Sequence, residues 1–325
     1  MSAAPLRRPL HILLDLSGTL HIGDTPTPGA VAALGRLRAW LAGGSQQQGG
    51  SSATPARGSL RFCSNTTKAS PAKLRQTLLA AGFAPHDVPE AALYTSLSAA
   101  ARALAQLRQP ALLLLSPSAM EVVHDEPGTE HFRPSPKRLP AELDAQERRR
   151  LEACTAVVVG LAPELMRAEW LDEAFRVLSG EYARPGEPSV ERRIIATHRA
   201  NYFRPAPDAP LSMGPGPFIT ALETAARIDA KRTQVCGKPT AEFFQGCLRE
   251  MRGAEPLEGE RNIVIGDDVD ADLGDGAVAL GLERVLVKTG KYRDGDEKRG
   301  AKPPDALHDS FAAWVDSLLS QESGQ

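Results

Sequence analysis

Four short segments combine an apolar run with reactive or ligating side chains at its end. In Leu13–Leu20, LLDLSGTL, hydrophobic residues deliver Asp15 to the end of the run, and Gly18 permits the tight turn that follows. An aspartate so presented can attack phosphorus and form an aspartyl-phosphate, which splits a hard displacement into two easier ones. In Arg61–Lys68, RFCSNTTK, the run ends on Ser64 and Asn65, whose hydroxyl and amide can donate hydrogen bonds to phosphoryl oxygens. In Cys236–Pro239, CGKP, Lys238 is a point charge suited to phosphate, although no GxxxxGK loop surrounds it. In Val264–Gly276, VIGDDVDADLGDG, the carboxylates of Asp267, Asp268, Asp270, Asp272 and Asp275 follow an apolar run. Such crowding is costly unless a hard divalent cation joins the carboxylates, and magnesium prefers oxygen ligands of this kind.

Taken singly, each segment has a plainer reading. Asp15 can serve as a turn or cap residue, Ser64 to Thr66 can cap the next helix, and Lys238 can be an ordinary surface lysine. A calcium EF-hand competes for the acidic segment, but the flanks read as strand and glycine turn, and the bidentate glutamate is missing. The order and spacing of the four segments carry the stronger inference.

The elements needed to position these residues are legible. Apolar runs at Leu10–Asp15, Leu60–Ser64, Thr233–Gly237, Asn262–Asp267 and Arg284–Lys288 alternate with helical patterns, as in a parallel sheet with crossover helices. Ligands of such sheets sit beyond the carboxyl ends of the strands. Pro28 can open a helix with Val31, Leu34, Leu37 and Leu41 on its apolar face. Ser70 and Pro71 start another, carrying Leu74, Leu78 and Leu79 and stopping at Gly82. Further elements at Ala111–Leu115, Thr155–Leu161, Leu165–Leu178 and Arg192–Thr197 lie between the two groups of polar strand ends. This predicts an α/β chain with a Rossmann-like parallel-sheet core at residues 1–106 and 233–325 and an inserted α/β domain at 107–232. The segment GGSQQQGGSSATPARG, Gly43–Gly58, reads as a flexible surface loop. His124–Arg150 reads as a proline-rich loop followed by a polar helix, with Arg148–Arg150 on a solvated face.

Together the motifs DLSGTLHI, SNTTK, VVVGLAPE, GPGPFITALE, GKP, IGDD and LVKTGKYR resemble the haloacid dehalogenase superfamily, over essentially the whole chain. The resemblance implies the haloacid dehalogenase fold, with the inserted domain as a C2-type cap. It implies Asp15 as nucleophile, Ser64 and Lys238 as phosphate ligands with Asn65 assisting, and Mg2+ on the Asp15 carboxylate, the Ser17 backbone carbonyl and Asp267, supported by Asp272. Relatives place a specificity segment near ATHRANYF, Ala196–Phe203, so His198 and Arg199 become candidate substrate-binding residues; an ordinary surface loop is the alternative. MGPGPF, Met213–Phe218, reads as a hinge-shaping turn that starts a helix at Pro217.

One position departs from the commonest pattern. Phosphatases of this superfamily usually carry a second aspartate two residues after the nucleophile, as general acid and base; here Ser17 stands there, as in a subgroup of the family. A serine hydroxyl is a poor proton donor near neutral pH, and losing such a group costs about 10²–10⁴ in rate. Pyrophosphate, aryl phosphates and phosphorus–nitrogen bonds to imidazole or lysine are therefore favoured over alkyl monoesters. Ser17 also leaves open a binding or regulatory protein that keeps the fold and metal site with little turnover. A dehalogenase or phosphomutase suits the acidic site less well.

Composition sets the outer limits. The 325 residues are ample for two domains, and 42% hydrophobic with 24% charged residues is ordinary for a globular protein. A formal net charge of -2 points to no nucleic acid and no anionic membrane surface as partner. The four cysteines, Cys63, Cys154, Cys236 and Cys247, form no CxxC pair and read as reduced, mostly buried thiols. The apolar run Leu10–Leu14 is too short for a signal peptide, and nothing approaches the ~18 apolar residues of a membrane span. The expectation is a cytoplasmic protein with a small phosphorylated substrate, its oligomeric state open, a homodimer included.

Overall fold

The computed structural model describes residues 9–43, 56–186, 189–203, 210–252, 259–299 and 302–323. The low-complexity segment lies outside the described residues over positions 44–55. The chain begins with β1 (Leu10–Asp15), a short hairpin of β2 (His21–Ile22) and β3 (Thr25–Pro26), α1 (Ala30–Leu41), β4 (Gly58–Ser64), α2 (Pro71–Ala80), β5 (Leu93–Thr95) and α3 (Ser96–Leu107). Its middle supplies β6 (Ala111–Leu114), α4 (Pro117–Met120), α5 (Ala145–Glu152), β7 (Ala156–Val159), α6 (Ala168–Ser179), β8 (Arg193–Ala196), the hairpin β9 (Tyr202–Phe203) and β10 (Ser212–Met213), α7 (Gly216–Ala226) and β11 (Thr233–Val235). It continues through α8 (Ala241–Arg252), β12 (Arg261–Gly266), α9 (Asp275–Ala279), β13 (Glu283–Val287), β14 (Ala306–His308) and α10 (Phe311–Ser323).

Contacts divide the chain into two units: Met1–Ser64, Leu74–Tyr94 and Lys238–Gln325 form one, Asn65–Lys73 and Thr95–Gly237 the other. The first holds a six-stranded sheet in the order β14-β13-β12-β1-β4-β5, with parallel pairing from β14 through β4. Every residue of β1 is buried, so both faces of this strand need cover. Leu10, Ile12 and Leu14 join Leu34, Leu37, Phe311 and Val315 of α1 and α10 in one apolar cluster. Strand alternation sends Leu13 to the opposite face, and α8 packs on β1 and β4. Burying each such leucine contributes about 1.5–3 kcal/mol. Helix α1 starts at Ala30 rather than Pro28, and its buried stripe is Ala30, Ala33, Leu34, Leu37 and Leu41, with Val31 only half-buried.

The second unit holds a four-stranded parallel sheet in the order β11-β8-β7-β6. Besides Asn65–Lys73, its main stretch runs from Thr95, where 107 was expected, because α3 places Leu97, Ala100, Ala103 and Leu104 in the same apolar cluster as β6, β7 and β8. The run at Thr233–Gly237, expected to begin the returning core, instead pairs with Ile194–Ala196 of β8, and Cys236 enters the second cluster. The expected polar helix is α5, opened by an Asp144–Glu147 capping box. Its arginines are not simply solvated, since Arg148 pairs with the buried Glu173 at 3.0 Å. Among the described residues no helix is long and apolar enough to cross a membrane.

Candidate active site at the strand ends

Three strands that lead into polar residues, β12, β1 and β4, are sheet neighbours and run parallel, so their carboxyl ends share one edge. Asp15 is the last residue of β1, Ser64 is the last of β4, and Asp267 follows β12 directly. All three are buried, with Asp15 5% exposed, Ser64 2% and Asp267 1%. Asp272 comes from the turn after Asp267 and is held there by two backbone bonds: its N–H donates to the Asp268 carbonyl at 2.8 Å, and its Oδ2 accepts from the Asp268 N–H at 3.1 Å. Oxygens of Asp15, Asp267 and Asp272 lie within 4.8 Å of one another.

Lys238 enters this group from the segment before α8, preceding a cis Lys238–Pro239 peptide. Its ammonium donates to Asp15 Oδ1 and Asp272 Oδ1, both at 2.5 Å, and to the Cys63 carbonyl at 2.9 Å. Burial alone would lower its pKa, but the Asp15 and Asp272 carboxylates outweigh burial and hold it above the usual lysine range. The carboxylates keep an excess of negative charge. Burial, reinforced by Asp15 and Asp272, raises the Asp267 carboxyl well above its ordinary range. Burial and the Asp15 charge push Asp272 up to about 6. Three crowded carboxylates, with Lys238 between two of them and oxygen atoms as the donors, fit a hard divalent cation.

Thr19, Lys291 and Gly290 complete the arrangement without a role legible from the sequence, and Gly18 does more than shape a turn. The buried Thr19 hydroxyl lies 3.1 Å from Asp15 Oδ2 and 3.3 Å from Asp267 Oδ1, able to donate to either. The Lys291 backbone N–H donates to Asp267 Oδ2 at 2.6 Å, while its ammonium lies 2.9 Å from Asp268. Gly18 and Gly290 make room for Asp267: both adopt positive φ, and a Cβ on either would lie within 2.2 Å of Asp267 Oδ2. The only sequence signals for these were the glycine turns in DLSGTL and LVKTGKYR.

A haloacid dehalogenase-like hydrolase family profile matches residues 12–129, and a related HAD-hydrolase-like profile matches 235–314. Human haloacid dehalogenase-like hydrolase domain-containing protein 2 is 38% identical over 308 residues, covering 95% of each chain. The chain belongs to the haloacid dehalogenase-like hydrolases. The phospholysine phosphohistidine inorganic pyrophosphate phosphatase of Bos taurus is 30% identical over 95% of this chain and 93% of its own. In fold, the hydrolase matches the crystal structure of 4-nitrophenylphosphatase from Thermotoga maritima with a TM-score of 0.67 at 20% identity, covering 95% of this chain and 97% of that one. The six-stranded core and the separate four-stranded parallel sheet of a C2-type cap are common to this group of hydrolases.

The remaining candidate residues of this hydrolase are distributed unevenly. Ser17 is exposed and bridges to His21, whose carbonyl accepts the Gly18 N–H at 2.7 Å. Asn65, His198 and Arg199 belong to the second unit. A Cβ on Gly237 would lie 2.5 Å from Asn65 Oδ1 and 3.0 Å from His198 Cβ, so Asn65 and His198 are neighbours there. His198 is buried, and its Nδ1 accepts the Ala200 N–H at 3.1 Å. Arg199 is exposed and its guanidinium pairs with Glu223.

Proposed function

We propose that this hydrolase is a magnesium-dependent phosphohydrolase that works through an aspartyl-phosphate on Asp15. The observation that carries the reading is the buried group of Asp15, Asp267 and Asp272 with Lys238 between two of them. Magnesium would be held by these carboxylates and the Ser17 backbone carbonyl, and when bound it supplies positive charge that eases repulsion between them and a phosphoryl group. Asp15 attacks phosphorus, the bond to the leaving oxygen or nitrogen breaks, and water then hydrolyses the acyl phosphate. Lys238 and Ser64 hold phosphoryl oxygens and neutralise charge as it shifts. Asn65, His198 and Arg199 of the second unit remain the candidate substrate-binding residues, Arg199 being paired with Glu223.

Ser17 narrows the substrate to small phosphates whose leaving group departs with little protonation, such as pyrophosphate, aryl phosphates or phosphoramidates. The 30% identity to a phospholysine phosphohistidine inorganic pyrophosphate phosphatase supports that choice. Replacing Ser17 by aspartate is expected to raise turnover of alkyl phosphates more than that of aryl phosphates or pyrophosphate. The ratio between substrate classes at saturating magnesium reports this, because the new carboxylate also repels Asp15. An unchanged or reversed ratio removes Ser17 as the missing acid position. Ser17 also supports the second reading, a binding or regulatory protein; wild type inert on all substrates but rescued by Ser17→Asp would favour it.

Metal dependence has a pH signature. In the metal-free protein Asp267 and Asp272 have folded-state pKa values raised above their unfolded values, Asp272 to about 6. A raised carboxyl contributes stability that is present below about pH 4 and lost as pH rises through the folded value. Magnesium therefore stabilises the protein more near pH 8 than near pH 5. Thermal melts with magnesium and with EDTA at both pH values test this, alongside p-nitrophenyl phosphate turnover. EDTA-resistant turnover, or an equal magnesium shift at both pH values, would exclude the proposed site.

A further inference from the structure

Two thiols lie against the candidate active site with no part in the proposed chemistry. Cys63 Sγ on β4 is 3.0 Å from Cys247 Sγ on α8, and both residues are buried. A disulfide closes at about 2.05 Å, so a shift of about 1 Å would join them. Cys63 is the register partner of Asp15 across the β1–β4 ladder, its carbonyl accepts from Lys238, and Ser64 follows it. On the other side, α8 begins three residues after Lys238 and is anchored by the buried Phe243, Phe244 and Leu248. A covalent link between β4 and α8 would therefore act on both chain segments that hold the Lys238 ammonium. The other two cysteines, Cys154 and Cys236, belong to the second unit and direct their thiols to the carbonyls of Arg150 and Gln234, as Cys63 does more distantly to that of Arg61.

We propose that Cys63 and Cys247 are a reversible, peroxide-sensitive dithiol that switches the site off when it closes to a disulfide. The Cys63 sulfur attacks a peroxide oxygen, the O–O bond breaks, and the thiol proton leaves with the departing oxygen as water, giving the sulfenic acid. The Cys247 sulfur then attacks the sulfenic sulfur, the S–O bond breaks, and the Cys247 proton leaves with the hydroxyl as a second water. Two thiols are oxidised and one hydrogen peroxide is reduced. Burial, reinforced by the adjacent Cys63, keeps Cys247 protonated well above the ordinary thiol range, so the second attack must shed that proton and is the slow step of closure. Displacing the Cys63 carbonyl by about 1 Å is expected to lower turnover at least about tenfold.

The test treats the folded, full-length protein with hydrogen peroxide, blocks free thiols by alkylation and maps disulfides by mass spectrometry. Turnover of p-nitrophenyl phosphate and the magnesium-induced shift in Tm are measured on the same samples. The proposal requires a Cys63–Cys247 linked peptide, loss of turnover in step with it, and recovery of both with dithiothreitol. Cys247→Ala, with Cys247→Ser as a second variant should the first misfold, keeps basal turnover and becomes resistant to peroxide. Peroxide inactivation without the linked peptide, or the linked peptide with undiminished turnover, overturns the switch. The switch rests on the phosphohydrolase reading only for its activity readout. If wild type hydrolyses no phosphate, that reading fails alone, and the switch stands or falls on the linked peptide together with loss of the magnesium-induced shift.

Discussion

Asp15→Asn lowers turnover of an activated phosphate by at least about a thousandfold, because an amide cannot form the acyl phosphate. The fold should survive the change. The Thr19 hydroxyl keeps an oxygen acceptor at position 15 and also lies within reach of Asp267, and Lys238 retains Asp272 as its carboxylate partner. Removing one of three crowded carboxylates also relieves repulsion on Asp267 and Asp272. Steady-state kinetics and thermal melts of the purified variant check both halves. A variant that kept more than a few per cent of wild-type turnover would deny Asp15 its role, whatever its stability.

Lys238→Met carries the second large effect, on stability as well as rate. The lysine is buried at the meeting point of Asp15 and Asp272, and its removal leaves two buried carboxylates without their nearest counter-charge. Breaking one partner out of a buried ionic group typically costs about 3–5 kcal/mol. The loss should be largest in EDTA and partly recovered by magnesium, since a cation at the carboxylates offsets the missing ammonium. Loss of a positioned donor to the phosphoryl oxygens lowers turnover by about 10²–10³. Urea unfolding with magnesium and with EDTA, paired with kinetics, measures the two effects. Unchanged midpoints would mean that Lys238 is not the counter-ion its distances imply.

The portions legible in the sequence are those where one local pattern fixes one structural outcome. Leu10–Asp15 is apolar but for His11 and ends in a carboxylate, and it forms a strand buried on both faces that delivers Asp15 to the sheet edge. Lys238 and the acidic segment after Val264 are legible for the same reason, while within that segment only the family resemblance singles out Asp267 and Asp272. What escaped depends on partners distant in sequence. The fold brings Thr19 and the Lys291 N–H to Asp267 across 248 and 24 residues of chain, although Thr19 also reaches the nearby Asp15. The strand at Thr233–Val235 looked like the others, and nothing local tells which of two parallel sheets will accept it. β5 and β14 are three residues each, too short for alternation to register, and neither was anticipated. Arg148 looked like part of a solvated run because its partner Glu173 is a buried charge on another helix.

The central claim, that Asp15 takes the phosphoryl group, is tested most directly by trapping it. Wild-type protein turning over p-nitrophenyl phosphate with magnesium is quenched in acid, digested and examined by mass spectrometry. The account predicts a phosphoryl adduct on the peptide containing Asp15 that hydroxylamine releases and that Asp15→Asn abolishes. A phosphoryl group on any other residue, or steady turnover with no adduct at any quench time, would contradict it.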